Sequence, residues 1–160
     1  MTFLITFILP VLSIFILVSL RVVENFSLPQ SKDRTLPMLL TASYFLTYYL
    51  MIDNTEVLSM TPEIEIFLLV SVISIFISII INKKTKISAH AVGASLLLGF
   101  MLVFMFLTGI SDLYLIIGLI LIASLAGTAR LGLNAHSPSQ IYLGYFVGGV
   151  CGLSSIFFYF

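Results

Sequence analysis

The sequence predicts an all-α fold, a polytopic membrane helix bundle with six transmembrane helices. Three observations carry this reading. Of the 160 residues, 60% are hydrophobic and only 9% charged, with a mean hydropathy of +1.20, more apolar surface than a water-soluble domain needs. Apolar runs recur at or near the roughly 20 residues that a helix needs to cross the hydrocarbon core. The charges, finally, collect in short connections between those runs. Residues 1–160 read as a single transmembrane domain.

Taken in order, residues 2–20 are uncharged and form the first span, with Pro10 bending the helix without ending it. No Lys or Arg precedes this run and no small-x-small site follows it, so it reads as retained rather than as a cleaved leader. A polar connection from Arg21 to Leu36 leads to a second span over residues 37–52, with Pro37 suited to a first helical turn. That span is short, and Tyr44, Tyr48 and Tyr49 cluster near its end as an interfacial belt would. Residues 66–81 are rich in β-branched side chains, yet their length and lack of punctuation favour a third span. The fourth runs from about Ala91 to Ile110, the fifth from Leu113 to about Thr128, and the sixth from Gln140 or Ile141 to Phe160. Ser111 and Asp112 make the tight turn between the fourth and fifth.

Six spans put the connections after the first, third and fifth on one side of the membrane. Those connections hold Arg21, Lys32, Arg34, Lys83, Lys84, Lys86 and Arg130, which is every Lys and Arg in the chain. The opposite side carries Asp53, Glu56, Glu63, Glu65 and Asp112. Basic residues in short loops set orientation, so the basic face is expected in the cytoplasm and both termini outside. Net charge is zero, which gives no basic field for nucleic acid. Cys151 has no second cysteine and no neighbouring ligands, and reads as a small core residue. No Gly-rich phosphate loop, Cys/His metal site or nucleophilic Ser triad is present, so no cofactor is implied.

Both histidines, His90 and His136, fall on the basic face at helix boundaries. One boundary histidine facing headgroups would need no explanation. Two, beside Arg34, Lys86 and Arg130, suggest phosphoryl chemistry: the Arg fork matches phosphate oxygens, and imidazole serves as nucleophile or general acid near neutral pH. The densest stretch is Ala129-Arg-Leu-Gly-Leu-Asn-Ala-His136-Ser-Pro-Ser-Gln140.

This stretch resembles the third motif of the type 2 phosphatidic acid phosphatases, S-R, five residues, H, three residues, D. Arg130 and His136 match in identity and spacing, while Ala129 stands for Ser and Gln140 for Asp. Ile87-Ser88-Ala89-His90 is similar to the second motif, P-S-G-H, with Ser88 and His90 matching. Lys32-Asp33-Arg34-Thr35-Leu36-Pro37 is the nearest candidate for the first, K, six residues, R-P. Arg34 would be its Arg, and Ser27 occupies the place of its Lys.

The resemblance implies a small bacterial-type member in the inner membrane, a metal-independent phosphatase acting on an anionic lipid phosphate or isoprenoid pyrophosphate. His136 would attack phosphorus to form a phosphohistidine and His90 would protonate the leaving alkoxide. Gln140 would take the place of the Asp that orients the nucleophile: its amide oxygen can accept the ring N–H but brings no negative charge. Arg130, Arg34, Ser88, Lys86 and Lys32 would hold the phosphoryl group, with Lys86 a candidate for the missing motif Lys. Two other readings compete. One is a protein of this kind that has lost catalysis and binds lipid as a scaffold. The other is a small transporter, against which stands the lack of any ionisable residue near the centre of a span.

Small residues recur every four positions in the sixth span (Gly144, Gly148, Gly152) and in the fourth (Ala91, Ser95, Gly99). That spacing lets helices approach closely. It predicts that the spans following the two histidines pack together.

Overall fold

Helix is the only regular structure among the described residues of the computed structural model, which are 1–25, 28, 30–53 and 62–160, without the side chains of Ser31, Lys32 and Asp53. Ser27 and Glu56 lie outside them. A π-helical turn over Leu4–Ile8 leads into α1 (Leu9–Ser19), followed by α2 (Ser31–Asp53), α3 (Pro62–Asn82), α4 (Ala89–Thr108), α5 (Leu113–Gly132) and α6 (Pro138–Ser154), which ends in a 3₁₀ turn over Ser155–Phe158. Five of these helices are long and apolar enough to cross a membrane, and the apolar helix Leu4–Ser19 is shorter. The chain forms two units, Met1–Lys86 and Ile87–Phe160.

In the first unit, Pro10 sits in the opening turn of α1. Its nitrogen cannot donate, and the wide turn before it, closed by Leu9 N–H on the Leu4 carbonyl, accommodates the gap. Helix α2 starts earlier than expected, at Ser31, so Pro37 lies inside it rather than in its first turn. The tyrosines of α2 correct the expected belt. Tyr48 is fully buried, its hydroxyl 2.7 Å from Thr2 Oγ1, and Tyr44 pairs with Ser13 of α1 at 2.6 Å. Tyr48, Ile52 and Leu68 form a core joined by Phe45, Tyr49 and Ile64. Helix α3 starts at Pro62 rather than Ile66 and carries the β-branched run as helix. Ser71 and Ser74 on its buried side return their hydroxyls to the Phe67 and Ser71 carbonyls, which satisfies them without a partner helix.

In the second unit, α4 and α6 pack along the small-residue faces that the spacing predicts. A Cβ on Gly148 would fall on the Val92 carbonyl and the Ser95 hydroxyl, and one on Gly152 on the Leu96 carbonyl. At Gly144 it would come within 2.9 Å of both the Ala91 Cβ and the Ser88 carbonyl oxygen. In a membrane, lipid tails are as apolar as side chains, so association rests on such close backbone packing. Ser95 fits the seam by donating to the Ala91 carbonyl at 2.8 Å. Gly109, left-handed at φ 68°, ends α4. Asp112 caps α5 by accepting from Leu115 N–H at 3.0 Å.

Candidate functional site

The second unit gathers Ser88, His90, Arg130, His136 and Gln140 at one end. The spacing between Arg130 and His136 follows from how α5 stops and α6 starts. Asn134, left-handed at φ 50°, terminates α5. Ala135 N–H bonds the Arg130 carbonyl at 3.0 Å and Asn134 N–H the Leu131 carbonyl at 2.9 Å, the paired bonds of a Schellman ending. Arg130 thus lies in the last turn of α5, where a cation is favoured by the helix dipole. His136 immediately precedes Ser137, the N-cap of α6.

Gln140 does two things at once. Its Oε1 accepts the Ser137 backbone N–H at 3.2 Å, the glutamine half of a capping box, and lies 3.2 Å from His136 Nδ1. A backbone N–H only donates, so the amide atom facing it is the oxygen. An oxygen there only accepts, so Nδ1 of His136 carries the proton. In the neutral imidazole this leaves the lone pair on Nε2, the nitrogen that a nucleophilic ring uses when its Nδ1–H is held by an acceptor.

His90 is the second residue of α4, and Ser88 is its N-cap. Ser88 is fully buried, and its hydroxyl accepts from Ala91 N–H at 3.4 Å. Arg130 reaches from α5 to His90: its Nη2 lies 2.6 Å from Nε2 and 3.0 Å from Nδ1 of the ring. Guanidinium has donors and no acceptor, so the ring nitrogen it engages bears a lone pair. His90 is exposed, whereas Arg130, His136 and Gln140 are half-buried. Gly144, one turn after Gln140, touches the Ser88 backbone and so holds the start of α6 against the start of α4.

The first unit holds Arg34 and Lys86. Arg34 is buried, with Nε donating to the Leu28 carbonyl at 2.8 Å. Partial burial and the neighbouring Arg34 charge together hold the Lys86 ammonium below its ordinary range. Two cations side by side are the arrangement an anion would relieve. The side chain of Lys32 lies outside the described residues. Among the described residues no three His, Cys, Asp or Glu side chains come together as a metal site would need.

No family model, curated protein or solved structure matches this chain.

Sequence reasoning missed the double duty of Gln140, although its signal was there: Ser137-x-x-Gln140 before an apolar run is a capping-box pattern. Tyr145 was also passed over. Its hydroxyl donates to the Ala123 carbonyl at 2.5 Å and lies against Gly127, where a Cβ would collide with it. The pair Gly127 and Tyr145 carries no local pattern that would single it out.

Proposed function

We propose that the chain is an integral membrane lipid phosphatase of the type 2 phosphatidic acid phosphatase kind, with the short helix Leu4–Ser19 as the first of six spans. In this reading it sits in the bacterial inner membrane with its site on the cytoplasmic face. The observation that carries the reading is the contact of Gln140 Oε1 with both Ser137 N–H and His136 Nδ1. Nδ1–H is held by Gln140 Oε1, and the same end of the unit supplies an Arg and a second His.

An anionic phosphoryl group is the natural partner of Arg130, whose fork offers more than one charge-assisted bond. Once Arg130 turns its donors to the phosphoryl oxygens, the His90 nitrogen it had engaged can take a proton. His136 Nε2 then attacks phosphorus and the P–O bond to the lipid breaks. The departing alkoxide collects the proton from His90, leaving a phosphohistidine. Water, giving its proton back to His90, attacks that phosphorus and releases inorganic phosphate and His136. Rate enhancement comes from positioning and from charge placed before the reaction begins. Arg34, Lys86 and Lys32 enter this reading through the motif resemblance alone.

A second reading, lipid binding without turnover, is favoured by one observation: Gln140 orients His136 but brings no charge to stabilise it as it becomes cationic. One assay separates the two. Phosphate release by purified protein in detergent with EDTA is measured on phosphatidic acid, phosphatidylglycerol phosphate and undecaprenyl pyrophosphate. Release that disappears in His136→Ala is expected; folded protein that releases none from any of them leaves the lipid-binding reading.

A further inference from the structure

The second unit carries a groove that the site chemistry does not use. It has two sections. One, of about 370 Å³, is floored by Gly99, Ala123 and Gly149 and reaches Leu153. The other, of about 210 Å³, runs past Gly127 to Leu131 and Pro138. Ser124 and Tyr145 line both, so the sections lie end to end rather than side by side.

We propose that this groove takes the hydrocarbon chain of a single-chain lipid phosphate whose headgroup sits at Arg130; the assignment rests on the phosphatase reading and adds the class of lipid. Position is the first argument. The groove begins at Leu131, the residue after Arg130, and at Pro138, two residues after His136. An anion at the Arg130 guanidinium would therefore have its tail delivered to the groove mouth. Length is the second: from Pro138 to Leu153 along α6 is about 22 Å at a helical rise of about 1.5 Å per residue. That exceeds the roughly 15 Å of one leaflet's half of the hydrocarbon core, so the groove suits a chain that runs on past the midplane. Width is the third. Gly99, Ala123, Ser124 and Gly149 give the groove its room, and the two sections follow one another along α5 and α6, the course of one chain.

Tyr145 is the fixed point of this groove. Its ring lines both sections, and the bond to the Ala123 carbonyl, over the gap left by Gly127, holds it in place. A lipid tail gains nothing by leaving other lipid tails for an apolar groove. Affinity therefore comes from the headgroup, and the groove decides which chains let the headgroup arrive.

The test uses the full chain in detergent, with hexadecyl phosphate, butyl phosphate and dipalmitoyl phosphatidic acid as substrates. A Cβ on Gly149 meets nothing within 4 Å, so Gly149→Phe fills the distal section from open space. Ser124→Phe, at the junction, is the second variant. Wild type is expected to prefer hexadecyl phosphate to both others in kcat/KM. Each variant should lower the hexadecyl-to-butyl ratio by about tenfold. An unchanged ratio in both folded variants, or a wild-type preference for the two-chain lipid, overturns the proposal. If wild type hydrolyses none of the three, the groove is judged by photolabelling with a hexadecyl phosphate carrying a diazirine near its chain end; the phosphatase reading itself fails only if the lipids of the first assay also release no phosphate. Labels confined to the groove residues of α4, α5 and α6, and displaced by excess hexadecyl phosphate, support it. Labels spread evenly over all the helices overturn it.

Discussion

Arg130 Nη2 lies 2.6 Å from Nε2 of His90, which is 40 residues away in the chain. The contact joins the last turn of α5 to the first turn of α4. A guanidinium can only donate, so the contact exists only while that His90 nitrogen is unprotonated. In the proposed mechanism it is the resting state, in which His90 and Arg130 occupy each other until an anion arrives. A phosphate analogue should separate them. We expect vanadate or inorganic phosphate to shift the ¹⁵N resonances of His90 in selectively labelled protein, and Arg130→Met to remove that response. Loss of a charge-assisted bond of about 1.5–3 kcal/mol predicts a fall in kcat/KM of roughly 10- to 150-fold in Arg130→Lys, which keeps the charge and loses the fork. An unshifted His90 spectrum at saturating anion would show that the pair is structural.

Gln140 supplies geometry without charge, and the two can be separated. Gln140→Glu keeps the chain length that reaches both Ser137 N–H and His136 Nδ1 and adds the negative charge. Phosphate release should rise by about tenfold or more if stabilising the cationic imidazole limits the rate. Gln140→Ala should lose activity and also about 1 kcal/mol of stability, since it removes half of the cap. A lower rate in Gln140→Glu with an unchanged melting temperature would show that the neutral amide is what this site requires.

The small-residue spacing of α4 and α6 and the acceptor role of Gln140 were legible because both are local patterns with one physical meaning. Helix α2 was not: its first turns, Ser31 to Arg34, are polar and look like a loop to any reading that equates helix with hydrocarbon. Tyr48 was misread for a related reason. A tyrosine near a span end is as suited to an interface as to a core, and only its partner, Thr2, 46 residues away, decides. The contact between Arg130 and His90 had no signal beyond both residues falling on the basic face.

The seam between α4 and α6 makes a sharp prediction because two adjacent glycines differ in what surrounds them. A Cβ on Gly148 strikes Val92 and Ser95 backbone and hydroxyl oxygens, whereas one on Gly149 meets open space. Gly148→Ala should force the helices apart and lower stability by about 2 kcal/mol or more, as overpacking does. Gly149→Ala should be neutral or raise stability by up to about 1 kcal/mol, through helix propensity alone. Thermal unfolding of the two variants in the same detergent checks the contrast; equal effects would mean that the helices do not meet at this register.

Lys86 gives a pH prediction. Burial, and after it the Arg34 charge, disfavour the ammonium in the folded chain and lower its pKa from 10.5. A lowered lysine pKa means that the folded state binds that proton less readily than the unfolded one. This penalty is fully present below the folded pKa and fades as pH rises toward 10.5, so stability rises through that window. Arg34→Gln keeps an N–H donor for the Leu28 carbonyl while removing the charge. It should move Lys86 back upward, read as a later onset of Lys86 acylation in a pH series followed by mass spectrometry. An onset unchanged by the substitution would leave burial as the whole cause.

Orientation can be tested across a single helix. Lys84 follows α3 and Ser111 follows α4, so the twenty residues of Ala89–Thr108 separate them. Arg21, Lys83 and Lys84 are basic residues that the proposed chemistry leaves unused, and they favour the cytoplasm for the Lys84 side. In a Cys151→Ser background, Ser111→Cys should react with an impermeant maleimide on intact cells, and Lys84→Cys only after permeabilisation. The reverse pattern would keep α4 as a span and move Arg130 and both histidines to the outer face. Labelling of both from one side would remove α4 from the membrane, and with it the bundle that brings His90 to Arg130.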